Sequence, residues 1–75
     1  ILNVYPNPNN GEFTINYKLD IELSIVNELG QIVRTVSLNS TNRYEVNIAN
    51  LSNGIYFVTG QSNGQVIKQK IIVAK

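Results

Sequence analysis

The chain has 75 residues and a mass of 8.4 kDa, which allows one domain. A chain this short buries only about 60% of the surface it would expose unfolded, so its core is one modest layer. Hydrophobic residues are 43% of the sequence, enough for a globule, while six Lys/Arg against five Asp/Glu leave a net charge of +1 without the basic excess of a nucleic-acid binder. The absence of Cys and His excludes thiol nucleophiles, disulfides, zinc fingers and imidazole bases. No apolar run approaches the ~20 residues of a membrane span. No charged-then-apolar signal segment opens the chain and there is no Met anywhere, so the expectation is a module belonging to a longer polypeptide.

Val, Ile and Thr supply 22 of the 75 residues and Ala only two, a bias toward pleated sheet. Twelve Asn residues cluster with Gly between short apolar runs and mark turns. The first run, Ile1 to Tyr5, is stopped by Pro6-Asn7-Pro8-Asn9-Asn10-Gly11, where two prolines lack N–H donors. Phe13, Ile15 and Tyr17 then alternate with Glu12, Thr14 and Asn16, the period of a half-buried strand. A third strand is predicted over Ile21 to Val26, followed by a turn at Asn27-Glu28-Leu29-Gly30 with Gly30 left-handed. The return strand, Gln31 to Leu38, alternates imperfectly: Ile32 and Val33 are adjacent, and Arg34 shares a face with Ile32 and Val36. A bulge or an edge position accounts for that equally well.

Asn39 to Asn42 reads as a polar connection, after which Tyr44, Val46 and Ile48 alternate with Arg43, Glu45 and Asn47. Ala49 to Gly54 is too short for a helix and reads as a compact turn with Leu51 inward. Ile55 to Thr59 is apolar on both faces, which predicts a central, doubly covered strand. Ser62-Asn63-Gly64 is a hairpin signal, and Val66 to Val73 points Ile67, Ile71 and Val73 one way and Lys68 and Lys70 the other. Seven short strands at regular spacing predict an all-β, antiparallel two-sheet sandwich of immunoglobulin-like type, with a small open barrel as the other arrangement.

Candidate chemistry is sparse. The carboxylates Glu12, Asp20, Glu22, Glu28 and Glu45 fall on outward positions or in turns, and only Asp20 and Glu22 are close in sequence. No Asp/Asn run of calcium-binding type exists. The expectation is a domain with no catalytic, cofactor or metal site. Arg34, Arg43, Lys68, Lys70 and Lys75, spread over three strands and the terminus, read either as edge protection or as a docking surface for an anionic partner. Most of the six aromatic residues fall at inward positions, favouring core packing over a sugar-stacking platform.

Four features occur in one order: Val4-Tyr5-Pro6-Asn7-Pro8 with Gly11 and Phe13; Ile25 to Val33 around Gly30; Leu51-Ser52-Asn53-Gly54-Ile55-Tyr56-Phe57-Val58; and Lys70 to Lys75. Together, and over the whole chain, they resemble the type A C-terminal sorting domain of the type IX secretion system of Bacteroidetes. The resemblance implies that residues 1–75 are a single sorting domain. It would direct a folded cargo, upstream in the same chain, from the periplasm through the outer-membrane translocon. A sortase-like cysteine protease then often removes such domains, and the cargo is anchored at the cell surface or released. The recognition residues this implies are Pro6, Asn7, Pro8, Gly11, Gly30, Leu51, Gly54, Tyr56, Lys70 and Lys75. Two other expectations compete with it. A carbohydrate-binding module needs exposed, coplanar aromatics, and a structural or adhesion module needs no recognition at all.

Overall fold

The computed structural model describes residues 1–75 and contains seven strands. They are β1 (Asn3–Tyr5), β2 (Phe13–Asn16), β3 (Ile21–Asn27), β4 (Ile32–Leu38), β5 (Glu45–Ile48), β6 (Gly54–Ser62) and β7 (Gln65–Val73). One sheet has the order β1-β2-β5 and the other β4-β3-β6-β7, with every pairing antiparallel. The two sheets face each other as a sandwich. Period-2 alternation places Phe13 and Ile15 of β2 against Leu23 and Ile25 of β3, Val58 of β6 and Ile71 of β7, all buried.

The irregularity of β4 has both of the causes open to it. β4 is an edge strand, and its register against β3 slips by one residue, Ile25 facing Arg34 and Val26 facing Ile32. Val33 is the extra residue of a bulge. The slip corrects the expected face-sharing: Arg34 and Val36 point inward with Ile25 and Leu23, whereas Ile32 is on the outer face opposite Val26. Arg34 sits at the sandwich margin and donates from Nη1 to the Ala49 carbonyl at 3.1 Å, tying β4 to the connection after β5.

Strand β6 is central, as expected, but is not covered by a second layer. Tyr56 and Val58 are buried between the sheets, while Ile55 and Phe57 are only half-buried on the outer face. Lys68 shields Phe57 instead, its Nζ 4.6 Å from the ring centroid. Among the aromatics, Phe13, Tyr17 and Tyr56 are in the core, and Tyr5 is 49% exposed.

Both hairpin turns form where Asn and Gly predict them. Gly30 has φ +81°, and Asn63 and Gly64 have φ +53° and +78°, the pair of left-handed residues a two-residue hairpin needs. The Asn39–Asn42 connection is more ordered than its polarity suggests. Ser40–Asn42 forms one 3-10 turn, in which Asn39 Oδ1 accepts from Thr41 N and Asn42 Oδ1 accepts from Asn39 N, each at 3.0 Å. Arg43 and Tyr44 then both adopt φ near +60° (58° and 61°). Neither is therefore part of β5, correcting the expected strand. Hydrogen bonding toward the Asp20 carboxylate, and its negative charge, favour the protonated phenol of Tyr44 and raise its pKa.

Two outcomes follow from this packing. A Cβ on Gly60 would meet the Glu22 carbonyl at 2.7 Å and Leu23 Cδ2 at 2.8 Å, where β6 pairs with β3. Gly60→Ala should therefore cost ~1–3 kcal/mol in a urea melt, as overpacking does. Gly64→Ala meets nothing within 4 Å and is strained only by its positive φ. The Tyr44 contact favours the protonated phenol, so its contribution is complete below the ordinary tyrosine value of about 10 and is lost as pH rises through the raised value. Asp20→Asn should bring the Tyr44 ring-carbon NMR titration back toward that of a free tyrosine; an unchanged midpoint would assign the shift elsewhere.

Candidate recognition site

Pro6 and Pro8 cannot contribute N–H groups to a ladder, yet the segment they frame lies along the outer edge of β7. Both proline peptide bonds in it are cis. The Asn7 side chain replaces the missing backbone groups: Nδ2 donates to the Lys70 carbonyl at 2.8 Å, and Oδ1 accepts from Ile72 N at 3.0 Å. Two residues on, Asn9 pairs through its own backbone. Its N–H donates to the Ile72 carbonyl at 3.0 Å and its carbonyl accepts from Ala74 N at 2.8 Å, a parallel bridge to Val73. Asn9 is the one buried polar residue, and its amide is used at both ends, Nδ2 to the Pro6 carbonyl and Oδ1 from Gly11 N. No buried polar side-chain atom in the chain lacks a partner.

The segment ends at Gly11, with φ +102°. A Cβ there would lie 2.8 Å from both the Leu51 carbonyl and Lys75 Cε, so only Gly fits between them. The Gly11 carbonyl accepts from Leu51 N at 3.3 Å, and Leu51 is buried. Asn53 Oδ1 accepts from Lys75 N at 2.8 Å, fastening the segment after β7 to the turn before β6. Gly54 opens β6 with φ +154°, and a Cβ added there would lie 3.7 Å from the Tyr56 ring. The Tyr56 hydroxyl donates to the Ser52 carbonyl at 2.7 Å.

Gly54 pairs with Val73 and Asn27 with Tyr56, so the start of β6, the finish of β7 and the β3–β4 turn share one end of the sandwich. Pro6, Asn7, Pro8, Gly11, Leu51, Gly54, Tyr56, Lys70 and Lys75 are all brought to this end or to the adjoining edge. Gly30 shares the end, but nothing lies within 4 Å of where its Cβ would be, so it joins no contact with the others. Lys70 and Lys75 are exposed. Asn9, Asn53 and Ser52 were not anticipated as members. Ser52 and Asn53 fall within the Leu51 to Val58 feature, whereas Asn9 shares its proline-bearing turn with Asn7 and Asn10 and nothing local marks it out.

Elsewhere the chemistry stays sparse. Asp20 and Glu22 are exposed, and no group of three or more His, Cys, Asp or Glu residues converges. No helix is long and apolar enough to cross a membrane. Tyr17 is 8% exposed and is unavailable for stacking on a sugar.

The family model for the secretion system C-terminal sorting domain matches residues 3–74. The chain belongs to that family. Its members are type IX sorting signals rather than catalysts, and the match takes in every residue of the end described above except Lys75. A type IX signal implies a secreted or cell-surface protein. No curated protein matches the chain.

The Tyr56 contacts separate packing from hydrogen bonding. Tyr56→Phe keeps the ring and leaves only the Ser52 carbonyl to water, so it should cost about 1 kcal/mol and stay folded. Tyr56→Ala should cost ~3–5 kcal/mol. Gly54→Ala should cost ~1 kcal/mol or more, because the positive φ strains Ala whatever the space. Chemical melts of the three variants test the order; a Phe variant as unstable as the Ala variant would overturn the assignment of the ring to the core.

Proposed function

We propose that residues 1–75 are the folded address of a longer exported protein. In this reading the sandwich accompanies a folded cargo in the periplasm, is bound by the type IX outer-membrane translocon, and is presented to a sortase-like cysteine protease that removes it. The cargo is then anchored at the surface or released. The observation that carries the reading is the family match over residues 3–74 combined with the gathering of the motif residues on one end.

That gathering also suggests how the signal is composed. Asn7, Gly11, Leu51, Gly54 and Tyr56 have their polar groups and space committed inside the molecule, as their contacts above describe. They act by holding a shape. Lys70 and Lys75 are exposed at the same end and are free to meet an anionic surface of the translocon. A translocon that accepts folded cargo can read such a shape plus two charges without unfolding anything.

Fusion of residues 1–75 to the C-terminus of a signal-peptide-bearing fluorescent protein should carry it out of a host with this secretion system. Retention in the periplasm, while another member of the family exports the same reporter, would overturn the proposal. Sorting should follow stability at Tyr56, failing for Tyr56→Ala and persisting for Tyr56→Phe. Lys70→Ala with Lys75→Ala should melt normally and lose export; surface-fraction blots beside thermal melts read both quantities. Normal export of that double variant would remove the two lysines from recognition.

A further inference from the structure

The edges of both sheets are blunted in different ways. β1 is three residues long and runs into Pro6, and β5 has four residues. β4 is broken by the bulge at Val33 and held by Arg34. The second half of β7 is covered by Asn7 and Asn9. The first half is not. Ile72 turns its N–H and C=O to the Asn7–Asn9 segment, and the β6–β7 register runs without a slip from Gln65 to Val73. Alternation therefore turns Val66, Lys68 and Lys70 toward the same edge. The N–H and C=O of Val66 and Lys68, and the N–H of Lys70, have no partner in the chain.

Lysines protect an edge by projecting over it. Lys68 does the opposite, since its ammonium is folded back over the Phe57 ring on β6. Val66 is 67% exposed beside it. We propose that this open half-edge of β7 docks an extended, acidic segment of a partner protein, added as a fifth strand with carboxylates opposite Lys68 and Lys70 and an apolar side chain beside Val66.

Two observations select that occupant. The chain already adds an extended segment of its own to the same edge, where Asn9 bridges Val73, so the pleat and twist of β7 accept a neighbour. Charge then chooses among strands. Gln65–Val73 contains two Lys and no acidic residue, so a second copy of β7 would add cations and offer the lysines no carboxylate, whereas carboxylates opposite them are attracted. The inference rests on the edge alone and is tested by binding, so its failure leaves the sorting proposal standing.

The probe is an acetylated, amidated peptide of sequence Ser-Thr-Glu-Thr-Glu-Thr-Val-Thr-Ser, titrated into the isotope-labelled 75-residue chain and followed by amide hydrogen exchange. Exchange at Val66, Lys68 and Lys70 should slow by about tenfold or more at saturation. Lys68→Glu should weaken binding by about tenfold or more and favour a peptide with Lys in place of Glu. A peptide N-methylated at every second bond changes nothing in the domain and should not bind. Equal binding of the N-methylated peptide, protection elsewhere on the surface, no protection at millimolar peptide, or dimerisation of the free chain through β7 would each overturn the proposal.

Discussion

The contact on which the rest of the molecule depends joins its two ends. Asn7 and Asn9, close to the start of the chain, hold the backbone of Lys70, Ile72 and Ala74, close to its finish, through hydrogen bonds of 2.8–3.0 Å. A core of 14 buried hydrophobic residues is thin, with no disulfide to reinforce it. The last strand contributes Ile71 and Val73 to that core and would otherwise be a bare edge over its whole length. Closing so long a loop is entropically opposed, a cost that these hydrogen bonds and the burial of Ile71 and Val73 offset. A polypeptide that stops before β7 can carry all of Leu51 to Val58 and still present no finished end.

The same groups hold the fold and, in the proposed function, shape the surface offered to a partner. Gly11 exists for the space between the Leu51 carbonyl and Lys75, and Asn53 fixes the path of Lys75. Substituting either would move an exposed cation as well as weaken packing. Loss of sorting in such a variant has two meanings, and only residues without internal partners separate them.

Strand positions and the two Asn-Gly-type turns were legible because they obey local rules: alternation for the strands, left-handed φ for the turns. What was not legible depends on neighbours distant in sequence. The outer face of β6 looked ready for a second layer because Ile55 and Phe57 are apolar, but what lies over Phe57 is the ammonium of Lys68 from the adjacent strand. Arg43 and Tyr44 continue an alternating pattern, yet the Asn39–Asn42 hydrogen bonds force both into the left-handed region. The motif residues were identified by resemblance, and their gathering at one end required the register of β6 with β7. Asn9 is one of twelve asparagines, and nothing local distinguishes the one that becomes buried.

Asparagine also governs how the molecule responds to its surroundings. The bonds that organise its loops run between side-chain amides and peptide groups: Asn27 to Leu29 and Gln31, Asn39 to Thr41, Asn42 to Ser37, Asn7 to β7, Asn53 to Lys75 N. None of these groups titrates near neutrality, and none is screened by counterions as an ion pair is. A domain assembled this way depends little on acidity or ionic strength for its shape. Its exposed lysines act through charge, which counterions screen, so ionic strength bears on them and leaves the architecture alone.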